Sequence, residues 1–89
     1  MNEQTFFLYD EIEQTRTRFV SFVGKHHRFD LAIVRTDRFY GKSLVISLQN
    51  GRSAIIGPDD LEEEGYIAYA FDLSDEEAEE LTEFLVLAI

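Results

Sequence analysis

The sequence predicts an α+β fold with two layers, in which a mainly antiparallel sheet of about five to six strands carries one C-terminal helix packed on a face. One observation is the stretch SLVISLQNGRSAII at residues 43–56, where two apolar segments meet at Asn50-Gly51. The other is a helix start at Ser74 followed by an apolar stripe with helical spacing. A chain of 89 residues with 45% apolar residues is the size of one domain, so residues 1–89 are expected to form a single α+β domain.

The Asn50-Gly51 pair predicts a hairpin with a two-residue type I′ loop, because both central positions of that loop require a positive φ. In this register Ile46 lies opposite Ile55. The side expected to face the core is the more apolar one, formed by Leu44, Ile46, Leu48 and Ile55. Val45 and Ile56 then pair on the other face.

Other segments rich in β-branched and aromatic residues are predicted strands: residues 5–9, 17–23, 29–34 and 66–71. Apolar side chains on both faces of residues 17–23 favour a central strand. The alternation in residues 29–34 directs Phe29, Leu31 and Ile33 to the core. Residues 24–28 have the length of a hairpin loop, and residues 36–42 are expected to form a connection.

Two helices are predicted near the C-terminus. Pro58 and the acidic residues after it favour a helix of one or two turns that ends before Gly65. Ser74 and Glu77 match a capping box. The stripe that follows consists of Ala78, Leu81, Leu85 and Ala88.

The last six residues, FLVLAI, are all apolar, and a single helical stripe does not accommodate them. Either this tail leaves the helix and packs into the sheet, or it contacts a second subunit. We favour the second subunit. The candidate interface residues are Phe84, Leu85, Val86, Leu87 and Ile89.

Charge is segregated along the chain. Residues 1–15 hold four acidic residues and no Lys or Arg, residues 16–52 hold all eight basic residues, and residues 53–89 hold twelve acidic residues and no basic one. The net charge is −10. This pattern favours charge pairing between segments, within one molecule or across a symmetric pair, although two solvated surfaces of opposite sign are the simpler alternative.

The turn at Lys25, His26, His27 and Arg28 is the one candidate for metal or acid–base chemistry. His26 and His27 are weak metal ligands here, because adjacent residues point in opposite directions and zinc takes three or four ligands. The chain has no Cys. We therefore expect solvated loop histidines, no metal site, no cofactor and no catalytic constellation.

A basic strip accompanied by Phe39 and Tyr40 raises the possibility of nucleic-acid binding. Its members are Arg16, Arg18, Lys25, Arg28, Arg35, Arg38, Lys42 and Arg52. The net charge argues against this function, because the acidic C-terminal part would repel phosphates. The acidic run at residues 59–64 lacks the spacing of a calcium loop and is expected to be solvated.

The longest apolar runs have six residues, against about 20 for a membrane span. The N-terminus is acidic and lacks a basic leader followed by an apolar run. We therefore expect a cytoplasmic protein without a membrane segment.

The strand at residues 29–34, the Asn50-Gly51 turn, the Gly-Pro-Asp-Asp run at residues 57–60 and the helix at residues 74–85 together resemble a small family of Gram-positive Firmicutes, domain of unknown function 3055. The resemblance implies a two-layer α/β fold and a homodimer, and it carries over no catalytic or ligand-binding residues. The leading functional hypothesis is a non-enzymatic homodimeric protein–protein interaction module. The alternatives are a regulatory domain that binds a metal or anion at residues 25–28, and a nucleic-acid-binding domain.

Overall fold

The computed structural model describes residues 5–25 and 27–89. Four strands come first along the chain, with a short 3₁₀ helix at Asp37–Phe39 between the second and the third, and three α-helices follow them. The strands are β1 (Arg16–Val23), β2 (Arg28–Arg35), β3 (Ser43–Ser47) and β4 (Ser53–Ile56). The helices are α1 (Pro58–Leu61), α2 (Tyr66–Phe71) and α3 (Asp75–Ala88).

The strands form one antiparallel sheet with the order β1-β2-β3-β4. One face of this sheet packs against the helices, which supply Ile67, Phe71, Ala78, Leu81 and Leu85 to the core. The predicted α+β class, antiparallel sheet and C-terminal helix are confirmed. The predicted five to six strands are too many, because two of the predicted segments are not strands.

Residues 5–9 do not form a strand. The structure shows them as an irregular arm whose side chains are exposed, with Leu8 at 90%. Aromatic residues favour a strand, but a strand also needs a neighbouring strand with which to form backbone hydrogen bonds. Within the described residues this arm has no such neighbour.

Residues 66–71 form helix α2, so the predicted last strand is wrong. Ile67 and Phe71 are four positions apart and are both buried, which is helical spacing, while Tyr69 is 83% exposed. Two alanines, Ala68 and Ala70, favour the helix at the other positions. Tertiary packing therefore overrides the β preference of the aromatic residues.

The chain reverses at Asn50-Gly51, but the loop is longer than the type I′ prediction. The Ser47 backbone N–H donates to the Arg52 carbonyl at 2.8 Å. Residues 48–51 therefore form a four-residue loop. Gly51 has φ +75°, whereas the φ of Asn50 is not positive. The side-chain amide group of Asn50 instead donates to the Phe71 backbone carbonyl at 3.1 Å. Its Oδ1 accepts from the Arg52 backbone N–H at 3.0 Å. These bonds tie the loop to the end of α2.

The core face of the β3–β4 hairpin is the opposite of the predicted one. Val45 and Ile56 are fully buried under the helices, whereas the predicted core residues lie on the outer face: Leu44, Ile46, Leu48 and Ile55. The pairing with β2 decides this outcome, since Ile33 lies opposite Val45 on the face that β2 buries. The predicted core positions Phe29, Leu31 and Ile33 are confirmed.

Strand β1 lies at the edge of the sheet, so the central position predicted for residues 17–23 is wrong. Its two faces are as expected. Val20 and Phe22 pack against the core, while Phe19 and Val23 lie on the other face and are each 76% exposed.

Helix α3 has the predicted cap. The Ser74 hydroxyl accepts from the Glu77 amide at 3.2 Å, and the Glu77 carboxylate accepts from the Ser74 amide at 2.9 Å. The helix continues to Ala88, so the tail does not leave it. Within the described residues, no helix is long and apolar enough to cross a membrane.

A comparison of two aromatic residues tests the assignment of α2. Replacing buried Phe71 by Ala should lower the free energy of unfolding by about 3–5 kcal/mol. Replacing exposed Tyr69 by Ala should change it by less than about 0.5 kcal/mol. Urea unfolding measures both values. A strand would place both side chains on one face, so equal large losses would contradict the helix.

Candidate interaction surfaces

The free edge of β1 presents unused backbone hydrogen-bonding groups. The Gly24 amide donates to the His27 carbonyl at 2.7 Å, which fixes the alternation of bonded pairs between β1 and β2. Even-numbered residues of β1 therefore bond to β2. The N–H and C=O groups that point outward belong to Thr17, Phe19, Ser21 and Val23. No strand in the described part of the chain pairs with this edge.

An acidic cleft lies beside this edge, between β1 and α3. Its β1 side is formed by Phe22, Val23, Gly24 and Lys25. The α3 side contributes four carboxylates and two apolar residues: Glu76, Glu79, Glu80, Glu83, Phe84 and Leu87. Stacking of Phe84 on Phe22, with ring centroids 4.5 Å apart, closes its floor. The cleft therefore combines an apolar base with a strongly negative wall.

Glu80 is the carboxylate that closes this cleft over the β1–β2 loop. Its Oε1 accepts from the Lys25 amide at 2.9 Å. Its Oε2 is buried and lacks a hydrogen-bond partner within the described residues. Gly24 allows this contact, because a Cβ at that position would overlap the carboxylate. Burial of an unpaired carboxylate oxygen is costly, which marks this atom as one that a donor would stabilise.

The outer face of the sheet is apolar and is not covered by a helix. Opposing residues make rows across it: Phe19, Ala32 and Ile46 in one row, and Val34, Leu44 and Ile55 in the next. Phe19 and Ile55 are exposed. Val34, Leu44 and Ile46 are half-buried, and Ala32 at the centre of the face is buried.

The N-terminal arm is attached to the body through Arg38. The guanidinium bonds Glu11 at 3.0 Å and Glu13 at 2.8 Å, and it lies 5.3 Å from the centre of the Tyr9 ring. The Thr36 hydroxyl also donates to Glu13 at 2.6 Å. Beyond this anchor the apolar side chains Phe6, Phe7 and Leu8 are exposed.

The structure describes one of the two loop histidines, His27. His26 lies outside the described residues. His27 is half-buried, with Nδ1 2.8 Å from Glu77 and its ring against Phe29 at a centroid distance of 4.4 Å. Among the described residues, no three His, Cys, Asp or Glu side chains are grouped to hold a metal ion. Metal or anion binding at residues 25–28 stays a prediction.

Some members of the basic strip are held in ion pairs, and others line one depression. Arg28 pairs with Asp30 at 3.1 Å on the outer face, Arg38 holds the arm, and Lys42 pairs with Asp60. Arg16, Arg35 and Lys42 share a depression with Glu13 and Asp37 at one end of the sheet. Tyr40 is 97% exposed, while Phe39 is half-buried.

The candidate interface residues at the C-terminus fall into two groups. Leu85 is fully buried in the core, and Phe84 and Ile89 pack against that core. Val86 and Leu87 are exposed, Leu87 at 87%. Of the five residues, Val86 and Leu87 therefore present the most surface to a partner.

Three carboxyl groups have lowered pKa values. The amide of Gly57, which bonds Asp60 at 2.8 Å, and the Lys42 ammonium at 3.0 Å lower the pKa of Asp60. The Ser21 hydroxyl and the Arg28 guanidinium lower the pKa of Asp30. The bonds with Ser74 lower the pKa of Glu77, with a smaller effect from His27.

These shifts predict a loss of stability in acid. Near the ordinary Asp pKa of 3.8 the unfolded chain binds more protons than the folded one, so the stabilisation is present above that value and is lost as pH falls through the lower folded pKa. Asp60→Asn should therefore flatten the dependence of unfolding free energy on pH between about 5 and 2.

Denaturant unfolding across this pH range measures the effect. Glu62→Gln is the matched control, because the Glu62 side chain is exposed and makes no ion pair within the described residues. Equal pH profiles for Asp60→Asn and the original chain would contradict the Asp60 contacts.

Comparison with known proteins adds a family. No curated protein matches the chain. The family model described as SAV0927-like matches residues 8–87, which covers all four strands and the α-helices up to the last residue of α3. The chain therefore belongs to the SAV0927-like family.

Proposed function

We propose that this protein is a homodimeric protein–protein interaction module of the cytoplasm, without enzymatic activity of its own. The observation that supports the proposal best is the apolar outer face of the sheet. All three helices pack on the opposite face, so no element in the described residues covers it. A protein partner bound on this face would remove apolar surface from water.

The accessible surface supports the same proposal. It amounts to 6880 Å² for a chain of 10.3 kDa. A folded monomer of that mass exposes about 5,400 Å² by the usual scaling of surface with mass. The difference exceeds the surface that one partner buries in an interface of standard size, about 800 Å². Part of it belongs to the exposed arm.

The distribution of ion pairs is consistent with pairing between segments of opposite charge. The basic middle segment contacts the acidic N-terminal part through Arg38 and the acidic C-terminal part through Lys42. Arg16 and Arg18 make no ion pair with any described residue. The same holds for Glu79 and Glu83 on α3. Charges of both signs therefore remain for a contact between molecules.

The mass in solution tests the dimer. Light scattering after size-exclusion chromatography at tens of micromolar should give twice the chain mass of 10.3 kDa. Dilution should lower the average mass, because association follows mass action. A mass of one chain throughout this concentration range would contradict the proposal.

One exposed residue of the tail gives a sharper variant. Leu87→Glu should weaken association about tenfold or more, because it places a charge in a contact that excludes water. Tyr69→Glu is the matched control, since Tyr69 is equally exposed but lies on α2. Sedimentation equilibrium compares the two dissociation constants. Equal values would remove Leu87 from the interface.

A further inference from the structure

We propose that the second copy binds along the free edge of β1, so that the β1 strands of two molecules pair antiparallel about a two-fold axis and join two sheets into one. In this arrangement Arg16 and Arg18 of each molecule enter the acidic cleft between β1 and α3 of the other. The inference rests on the proposed homodimer and assigns its interface.

The edge supplies the backbone bonds. β1 has eight residues, and four of them direct N–H and C=O groups away from β2. A long edge strand with unpaired backbone groups is a template for another strand. Antiparallel pairing of identical strands is closed by a two-fold axis, so the contact forms a dimer and does not propagate.

The two-fold geometry brings opposite charges together. A two-fold axis perpendicular to the sheet leaves the helices of both molecules on the same face. Arg16 and Arg18 have the same parity as Val20 and Phe22, so they lie on that helical face. Antiparallel pairing places the beginning of one β1 beside the end of the other, and that end borders the acidic cleft.

The cleft contains an atom that needs a donor. Glu80 Oε2 is buried without a hydrogen bond in the described chain, in a wall that also carries Glu79 and Glu83. Rotation of the Glu80 carboxylate toward the cleft would bring this oxygen to a guanidinium group of the partner, which carries several N–H groups in a fixed plane. Charge-assisted bonds of this kind are stronger than neutral ones. Arginines and glutamates that make no ion pair within one described chain thereby pair with each other across the dimer.

The apolar surroundings fit the same contact. Leu87 on α3 is exposed and borders the cleft, and Val23 at the end of β1 is exposed on the outer face of the same edge. Edge pairing brings the partner's β1 against them, so that apolar and charged groups are buried together. The exposed candidate Leu87 therefore belongs to this interface, whereas the outer face of the sheet remains accessible in the dimer.

Charge reversal tests the assignment. Arg18→Glu places a negative charge beside the partner's glutamates, and Glu83→Arg places a positive charge beside the partner's arginines. Each variant alone should raise the dimer dissociation constant about tenfold or more, because like charges then meet at both symmetric contacts. Both positions lie at the surface of secondary structure, and circular dichroism and thermal unfolding confirm that each variant folds.

Mixing the two variants gives the decisive result. A heterodimer of Arg18→Glu with Glu83→Arg contains opposite charges at both contacts, so an equimolar mixture should dimerise more tightly than either variant alone. Native mass spectrometry distinguishes the heterodimer from the homodimers. A merely structural role of either residue would not produce this recovery.

The controls are Arg52→Glu in the β3–β4 loop and Glu63→Arg after α1, which make the same changes of net charge away from β1. They should leave the dissociation constant near that of the original chain. If the original chain dimerises and Arg18→Glu dimerises equally well, the β1 interface is wrong while the homodimer stands. If the original chain is a monomer, the homodimer itself is wrong.

Discussion

The packing of all three helices on one face of the sheet is the constraint on which the rest of the structure depends. The four strands are consecutive along the chain, and the helices follow them as one group. Short connections then keep the helices together on one side. Phe29, Leu31 and Ile33 of β2 meet Phe71 and Leu81 there and form the core. The other face and the β1 edge are left to solvent or to a partner.

Local signals in the sequence were sufficient for several elements. Ser74 and Glu77 form the predicted cap of α3, because a capping box requires only residues three positions apart. The alternation in residues 29–34 identified the buried side of β2. Pro58 begins a short helix, as predicted. Each of these features is determined within one turn or one strand, so no knowledge of distant contacts was needed.

The errors concern choices made by distant contacts. The alternation in β3 correctly divided its residues between two faces. Which of these faces is buried depends on the pairing of Ile33 with Val45. Residues 66–71 have strand-forming aromatics, and their helix follows from the burial of Ile67 and Phe71 together. The edge position of β1 follows from strand order, which a single sequence does not specify. Arg18 could have indicated the edge position, because it is a charged residue on the strand face that Val20 and Phe22 direct to the core. Inward-pointing charged residues commonly protect edge strands.

The candidate interface was predicted only in part, and for the same reason. Exposed Leu87 was identified from the surplus of apolar residues, whereas the acidic cleft depends on α3 lying beside β1. Amide hydrogen exchange at Thr17, Phe19, Ser21 and Val23 tests the edge contact most directly, because these outward amides are unbonded in one molecule. The account predicts slow exchange at high protein concentration and fast exchange on dilution. Fast exchange of all four amides in a sample that is fully dimeric would contradict it.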